Sequence, residues 1–301
     1  MEVHYVHHPT RTLDIGPHVF PVEKYGILCD WLRGDVGVED HRWHEAGSVA
    51  REDLERIHDL EYVDDLMNAR MSARTMASEL PIRPDVIAAF LDMAGGAITT
   101  AGLALDHGVG FHVGGGLHHA FAGRAEGFCY VNDVAVAVAR MQADGRCERV
   151  LVVDVDVHQG NGTAAIFADD PTVFTYSIHQ ENNYPVKQRS DLDRGLPDRI
   201  EDEPYLEMLT KDLDEFDARC EPDLVWYLAG VDPHLRDQLG GLSLTATGLR
   251  RRDELVLERY AGRGLPIAIS LAGGYAPRPE DTARLHMGTV WAAEGLPDRG
   301  R

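Results

Sequence analysis

The stretch of residues 149–163, with the sequence RVLVVDVDVHQGNGT, constrains the fold of this chain most. It opens with β-branched residues and leucine at positions 150–153, a composition that fits a strand buried on both faces of a parallel sheet. Asp154, Asp156 and His158 follow at every second position, so their side chains would project to one face at the carboxyl end of this strand. Ligands of open α/β sheets bind outside these carboxyl ends, so carboxylates and an imidazole here suggest a metal site.

The alternative interpretation of this stretch is a loop with two solvated carboxylates and a capping histidine. It accounts poorly for charged residues that directly continue a buried strand, because desolvating an unpaired carboxylate costs several kcal/mol or more. A cation bound by Asp156 and His158 would supply the missing partner.

Length and composition allow one large α/β domain. The 301 residues, 44% of them hydrophobic, suffice for a substantial core, and strands and helices alternate without an internal repeat or linker. The clearest predicted strands cover residues 150–153, 172–178, 223–232 and 265–271. We therefore predict a single domain over residues 1–301, with a mostly parallel central sheet flanked by helices.

Charge and cysteine content narrow the partners and the compartment. The formal net charge of −21 argues against nonspecific binding to nucleic acid or an anionic membrane, although a solubility charge or a salt-adapted host explains it equally well. The four cysteines are scattered without a CxxC pair, which favours a reducing compartment. The first residues, MEVHY, lack a basic and an apolar region, so we expect no signal peptide, and we expect no membrane span because no apolar run approaches the roughly 20 residues that span a bilayer. We expect a cytoplasmic protein with no nucleic-acid or membrane partner.

A second motif is the glycine-rich stretch GFHVGGGLHHA at residues 110–120. Its three glycines are not a phosphate-binding loop, because no Lys-Ser/Thr follows and the spacing is not GxGxxG. Glycine here more plausibly lets the backbone pass close to a reaction centre. An adjacent pair such as His118 and His119 is in general more often structural than catalytic, so the pair alone does not decide the function.

The polar residues of these motifs share one expected location. Each lies just past a predicted strand or in a glycine-rich loop, so they would gather at one edge of the sheet. They are His118, His119, Asp154, Asp156, His158, Asp232 and Tyr275. Three protein ligands of nitrogen and oxygen type, with an open fourth position, suit a catalytic zinc ion.

Five motifs resemble, in order and separation, those of the zinc-dependent histone deacetylase family, within the arginase/deacetylase superfamily. They are GGGLHHA at 114–120, GFCYVND at 127–133, DVDVHQGNG at 154–162, AGVDP at 229–233 and GGY at 273–275. HQGNG at 158–162 and LGGLS at 239–243 are similar to class IV members in particular. The resemblance implies the arginase/deacetylase fold and a hydrolase that removes acyl groups, acetyl or longer fatty acyl, from the Nε atom of lysine in proteins or peptides.

The resemblance also implies a role for each matching residue. One Zn²⁺ per chain would be bound by Asp156, His158 and Asp232. The catalytic residues would be His118, His119, Tyr275 and Asp154. This set suits amide hydrolysis, because zinc lowers the pKa of bound water to about 7 and two histidines can serve as base and acid. A phenol can stabilise the tetrahedral oxyanion, and a carboxylate behind a histidine fixes its tautomer.

Two further sets follow from the resemblance. The wall of an acyl-lysine tunnel would contain Gly127 and Phe128, with Tyr184 as its second aromatic residue. A structural K⁺ near the zinc would be bound by Asp154, Asp156, His158, Ser177 and Ile178.

Asn161 departs from the pattern of many relatives, which carry an aspartate paired to the second histidine at this position. A neutral amide can orient His119 but stabilises its protonated form less than a carboxylate does. We therefore predict that His119 acts as a base that is neutral at rest.

Alternative functions remain at this point. Arginase-like enzymes share the broad fold and bind two manganese ions, but Gly160 occupies the position two beyond His158 where they carry another aspartate. A catalytically silent acyl-lysine-binding module is a second alternative. Acetylated polyamines or other small amides are alternative substrates. The physiological substrate and the oligomeric state stay open.

The preferred acyl length is open as well. The resemblance to class IV members implies removal of long fatty acyl groups, which requires a deep apolar cavity beyond the zinc. The glycines at 114–116 and 273–274 could leave such space because they place no side chains there. Alternatively, they only permit close backbone packing and leave a short pocket for acetyl.

Overall fold

Eight strands form one parallel sheet in the computed structural model, which describes residues 2–8 and 13–296. The strands are β1 (Glu2–His7), β2 (Trp43–Glu45), β3 (Gly108–His112), β4 (Val150–Asp154), β5 (Val173–Gln180), β6 (Leu192–Leu196), β7 (Leu224–Leu228) and β8 (Ile267–Ser270). Their order is β2-β1-β3-β8-β7-β4-β5-β6, and every neighbouring pair is parallel. The predicted fold class is confirmed.

Helices cover both faces of this sheet. They are α1 (Glu23–Trp31), α2 (Arg51–Leu54), α3 (Leu60–Met67), α4 (Ala73–Met76), α5 (Pro84–His107), α6 (Asp133–Ala143), α7 (Asn161–Ile166), α8 (Asp202–Arg219), α9 (Ala246–Gly262) and α10 (Pro279–Glu294). All the strands in the described part of the chain thus belong to one sheet. A single domain over residues 1–301 stays a prediction, because residues 1, 9–12 and 297–301 lie outside the described part.

Strand β4 shows why its valine-rich sequence folds as predicted. Val150 and Val152 pack with apolar residues of α5 and α6 on one face of the sheet. Leu151 and Val153 pack on the other face, in the cluster that contains apolar residues of α8, α9 and α10. Because both faces are buried, nearly every position of the strand is apolar rather than every second one.

Helix α5 corrects the sequence-based expectation that no apolar stretch is long enough to cross a bilayer. By length and composition alone its 24 residues could do so. In the fold, 67% of its most apolar window is buried. It packs closely as well, since a Cβ atom on Gly95 would lie 1.8 Å from the carbonyl oxygen of Gly47. The apolar character of α5 is thus accounted for by core packing.

The parallel arrangement brings four carboxyl ends to the same edge of the sheet. Strands β3, β8, β7 and β4 are consecutive neighbours. The loops that follow them carry six of the seven residues predicted for zinc binding and catalysis, and the seventh, Asp154, is the last residue of β4. The fold therefore positions these side chains around one point above the middle of the sheet.

Candidate active site

Asp156, His158 and Asp232 form a buried cluster that could hold a metal ion. One ligand atom from each lies within 4.8 Å of the others. The Nδ1 atom of His158 is 3.1 Å from Oδ1 of Asp156 and 3.2 Å from Oδ2 of Asp232. One imidazole and two carboxylates, with the fourth side facing a cavity, form a donor set that suits catalytic zinc.

Backbone amides fix the orientation of both carboxylates. The N–H of Gly273 donates to Oδ2 of Asp156 at 2.7 Å, and the N–H of Val157 donates to Oδ1 of Asp232 at 2.8 Å. A Cβ atom on Gly273 would lie 2.1 Å from Oδ2 of Asp232, so only glycine fits at this position. The remaining oxygens are thereby directed at His158.

The charges in this cluster need a compensating cation. Burial, together with the charge of Asp156, raises the pKa of Asp232 to about 8. Burial alone would lower the pKa of His158, but hydrogen bonds and charges from the two carboxylates raise it to about 10. A proton on His158 thus offsets the buried negative charge in the metal-free protein. A divalent cation would offset it more fully and release that proton, so the three residues fit a zinc ion.

His118 and His119 lie next to this cluster, in the loop between β3 and α6. Nδ1 of His118 is 2.7 Å from Oδ2 of Asp154, and Nδ1 of His119 is 2.8 Å from Oδ1 of Asn161. The two Nε2 atoms face each other at 3.1 Å. Both rings are buried. The structure therefore brings the predicted pair together with Asp154 and Asn161 behind it.

The acceptors behind the two rings determine where their protons lie. Carboxylate and amide oxygens accept hydrogen bonds, so each ring carries a proton on Nδ1. Burial opposes a charge on His118, but Asp154 and Asp156 raise its pKa to about 9. Burial and the charge of His118 hold the pKa of His119 well below its ordinary value. The shared proton between the rings thus belongs to His118, and His119 is the neutral partner.

A cavity of about 180 Å³ opens onto the cluster. It is lined by Glu79, His119, Gly127, Phe128, His158, Asn183, Tyr184, Leu239 and Tyr275. A Cβ atom on Gly127 would lie 2.6 Å from the ring of His119, so glycine lets the wall approach the histidine. The ring centre of Tyr184 is 5.3 Å from that of His119, and its side chain is half-exposed at the mouth. The three predicted tunnel residues therefore line one cavity.

Tyr275 lies at the base of this cavity. The centre of its ring is 6.2 Å from that of His158 and 6.0 Å from that of Phe128. Its backbone N–H donates to Oδ2 of Asp237 at 2.7 Å, and the side-chain amide of Gln238 donates to its carbonyl oxygen at 2.8 Å. Burial raises the pKa of the phenol well above its ordinary value, so the hydroxyl stays protonated and can donate.

Two of the residues predicted to bind potassium, Asp154 and Ser177, are neighbours across β4 and β5. Asp154 is paired with Ser177 in the parallel register of these strands. Oγ of Ser177 is 2.9 Å from Nδ1 of His179, and Ile178 is fully buried. The K⁺ site stays a prediction.

Within residues 2–8 and 13–296, no second group of metal-binding side chains adjoins the cluster of Asp156, His158 and Asp232. A Cβ atom on Gly160 would lie 2.4 Å from Oδ2 of Asp154, so no carboxylate can replace this glycine without displacement. Among the described residues, one other group could hold a metal ion: the exposed side chains of Glu2, Glu39 and His41. Glu2 is the first residue of β1, so this group lies at the amino ends of the strands, away from the cluster. This arrangement favours one metal ion over a binuclear site.

The glycines beyond the cluster pack closely. A Cβ atom on Gly116 would lie 2.8 Å from the backbone of Ala272, and Gly115 has a φ of 66°. The adjoining space, which these glycines help to line, measures about 20 Å³. That is room for about one water molecule. At these positions the glycines permit close backbone packing, and the preferred acyl length stays a prediction.

Several residues at the site carried no recognisable signal in the sequence. Glu79 lines the mouth with a left-handed φ of 63°, and Asn183 donates to the carbonyl oxygen of Leu239 at 2.9 Å. Lys24 is fully buried and donates to the carbonyl oxygen of Ala272 at 2.8 Å, and burial lowers its pKa to about 8. These residues come from distant segments, so only the fold shows their proximity.

Similarity to known proteins extends over most of the chain. Residues 18–290 match the family model described as histone deacetylase domain. An uncharacterized protein of Picosynechococcus sp. is 42% identical over 284 residues, covering 93% of this chain and 95% of that protein. Histone deacetylase 2 of Arabidopsis thaliana is 30% identical over 271 residues, covering 86% of this chain and 70% of the plant protein. The crystal structure of an HDAC homolog complexed with SAHA has a TM-score of 0.84 at 24% identity, covers 99% of this chain and 85% of the homolog, and shows the shared fold.

Proposed function

Because the chain belongs to the histone deacetylase family, we propose that it is a zinc-dependent deacetylase that acts on acetyl-lysine in proteins or peptides. The observation that carries this proposal is the buried cluster of Asp156, His158 and Asp232 beside a neutral histidine, at the base of a cavity with aromatic walls. The likeness of the HQGNG and LGGLS motifs to class IV members belongs to the same proposal.

Each side chain has a defined part in the proposed hydrolysis. A zinc ion held by the cluster would supply a Lewis acid that polarises the acetyl carbonyl and activates water at neutral pH. The neutral ring of His119 would take a proton from the attacking water on Nε2, in place of the hydrogen bond that this atom accepts from His118, while Asn161 orients the ring. His118 holds a proton near the departing amine, and Asp154 stabilises that charge. The phenol of Tyr275 donates to the carbonyl oxygen as negative charge develops on it.

The shape of the site supports acetyl as the acyl group. The space of about 20 Å³ beyond the cluster is too small for a chain of several methylenes. The cavity in front of it would enclose the lysine stem between Phe128 and Tyr184. We therefore propose the short-pocket interpretation, with acetyl preferred over long fatty acyl groups.

Exposed apolar side chains near the mouth support a peptide substrate. Tyr184, which lines the mouth, is 42% exposed, and Val186, two residues further along the same loop, is 83% exposed. The carboxylate of Glu79 at the mouth could accept a hydrogen bond from a peptide N–H. The same carboxylate could instead attract the cationic end of an acetylated polyamine, which makes polyamines the second candidate substrate.

A substrate panel tests these proposals. The zinc-loaded protein would be assayed with lysine peptides carrying acetyl, crotonyl, octanoyl and myristoyl groups, and with an acetylated polyamine. We expect the highest kcat/KM for the acetyl peptide. Faster hydrolysis of octanoyl or myristoyl peptides would reject the short pocket, and faster hydrolysis of the polyamine would replace the peptide substrate. Retained zinc without turnover of any compound would support a silent binding module.

Further components of the proposal concern the ions and the compartment. We propose one zinc ion per chain and a structural K⁺ at the junction of β4 and β5, near Asp154 and Ser177. The four cysteines are free and buried, which supports a reducing compartment such as the cytoplasm. The −21 net charge favours cationic substrates over nucleic acid or anionic membranes.

A further inference from the structure

The side chain of Asn161 connects the second histidine to a carboxylate. Its Oδ1 atom is 2.8 Å from Nδ1 of His119, and its Nδ2 atom donates to Oε1 of Glu126 at 2.7 Å. Asn161 is fully buried at the start of α7, whereas the Glu126 side chain is 19% exposed. The carboxylate of Glu126 therefore reaches His119 only through the side chain of Asn161, whereas an aspartate at position 161 would contact the histidine directly.

Glu126 determines which way the amide of Asn161 points. A carboxylate accepts hydrogen bonds but cannot donate them, so it selects the NH₂ group of the amide. If the amide were rotated by half a turn, its oxygen would face the carboxylate of Glu126 at hydrogen-bond distance, and two acceptors would oppose each other. The amide oxygen is consequently directed at His119, where it requires an N–H on Nδ1.

Other contacts hold the carboxylate of Glu126 in place. Its Oε2 atom accepts a hydrogen bond from Arg124 at 2.8 Å. The backbone of Glu126 also forms two hydrogen bonds with the backbone of Cys129, at 3.1 and 2.9 Å. The phenol of Tyr184 interacts with the same carboxylate. These contacts hold the side chain of Glu126 in place, in the loop that continues into the cavity wall at Gly127 and Phe128.

We propose that Glu126 is a positioning residue that acts through Asn161 to keep His119 in the Nδ1–H tautomer. The Nε2 atom of His119 then carries the lone pair of the ring and faces Nε2 of His118 at 3.1 Å. The relay His119–Asn161–Glu126 supplies at its outer end the carboxylate that Asn161 itself lacks. The role of this lone pair as the base in hydrolysis rests on the proposed function, whereas the tautomer assignment does not.

The first test reads the tautomer directly. Long-range ¹H–¹⁵N NMR correlations of ¹⁵N-histidine-labelled, metal-free protein distinguish Nδ1–H from Nε2–H on His119 without substrate. We expect Nδ1–H in the wild type, and a measurable population of Nε2–H in Glu126→Ala. Glu126→Gln retains an oxygen acceptor for Asn161 and is expected to stay close to the wild type. Glu126→Ala also removes the contact between Glu126 and the phenol of Tyr184. Tyr184→Phe removes that contact alone and is expected to leave the tautomer of His119 unchanged, so it is the matched control.

The second test uses the interaction between two substitutions. Asn161→Asp alone would place a second carboxylate beside Glu126, and we expect kcat to fall by roughly tenfold or more. The double variant Glu126→Gln/Asn161→Asp restores a donor between these positions, so its kcat is expected to recover most of that loss. KM for the acetyl peptide is expected to change less than kcat, because the relay lies behind the histidine.

The outcomes separate this inference from the proposed function. A His119 tautomer that is the same in the wild type and Glu126→Ala, or a double variant no better than Asn161→Asp, would overturn the relay. An inactive wild-type protein with the expected shift in tautomer would overturn the deacetylase proposal and support the relay.

Discussion

At the scale of single residues, Tyr275 is defined by its burial and by the anchoring of its main chain. Asp237 and Gln238 fix the backbone on either side of its ring, and burial keeps the phenol protonated. We predict that Tyr275→Phe lowers kcat by about 10²–10³-fold, the usual effect of removing one oxyanion donor. Steady-state kinetics with an acetyl-lysine peptide would measure this, and metal analysis should show unchanged zinc. Turnover at the wild-type rate would mean that the phenol does not reach the carbonyl oxygen.

His158 is the residue that joins the two buried carboxylates. Its Nδ1 atom lies within 3.2 Å of both Asp156 and Asp232. We predict that His158→Ala loses bound zinc and activity together, because the remaining two carboxylates leave one of three ligand positions empty. Metal analysis after dialysis would check this against His119→Ala, which should keep zinc while losing activity. Two manganese ions per wild-type chain, both needed for activity, would contradict the mononuclear site.

At the scale of elements, the sequence predicted four of the eight strands, β4, β5, β7 and β8, and missed β1, β2, β3 and β6. Strand β4, with the sequence VLVVD, is apolar on both faces and was recognised from its composition. Strand β3 has the sequence GVGFH, whose two glycines weaken β propensity, and β6 has LDRGL, with charged residues and a glycine. These two strands are specified by pairing with their neighbours, so local composition did not reveal them.

The residues of the site likewise divide into those that a local sequence pattern reveals and those that only the fold brings together. Asp156 and His158 could be predicted because they are close in sequence and follow a recognisable strand. The link from Asn161 to Glu126 spans 35 residues and depends on how two loops meet, so no local pattern indicates it. The sequence marks Asn161 as a departure from the family pattern, but no feature of it points to Glu126 as the carboxylate bonded to that amide.

The loop after β8 gives a prediction at this scale. Gly273 donates its N–H to Asp156, and a Cβ atom there would lie 2.1 Å from Asp232. We predict that Gly273→Ala weakens zinc binding by roughly 10–100-fold, the usual effect of disturbing groups that orient metal ligands. Gly34→Ala is the matched control, because a Cβ atom on Gly34 has nothing within 4 Å. Zinc titration of both variants would measure the difference, and equal affinities would show that the loop yields without moving the carboxylates.

At the scale of the whole molecule, the proposed metal binding would be coupled to protons and to stability. In the folded, metal-free protein the pKa of His118 is raised to about 9 and that of His158 to about 10, both from an ordinary value of 6.5. The stability that these two groups contribute is fully present below about pH 6.5 and is lost as the pH rises through 9 and 10. Asp232, raised from 3.8 to about 8, acts in the same direction, because stability falls as the pH rises between these two values.

Zinc should reverse this trend, because it replaces the protons that offset the buried carboxylates. Zinc binding releases protons, so the affinity for zinc increases as the pH rises. A ligand that binds only the folded state raises Tm, and the increase is larger when the ligand binds more tightly. We predict that the increase in Tm on adding zinc is larger at about pH 8.5 than at about pH 6. Thermal unfolding at both pH values, with and without zinc, would measure it, and His158→Ala should show little increase at either. A zinc-induced increase that stays constant or shrinks with rising pH would contradict the assignment of these protons to the metal cluster.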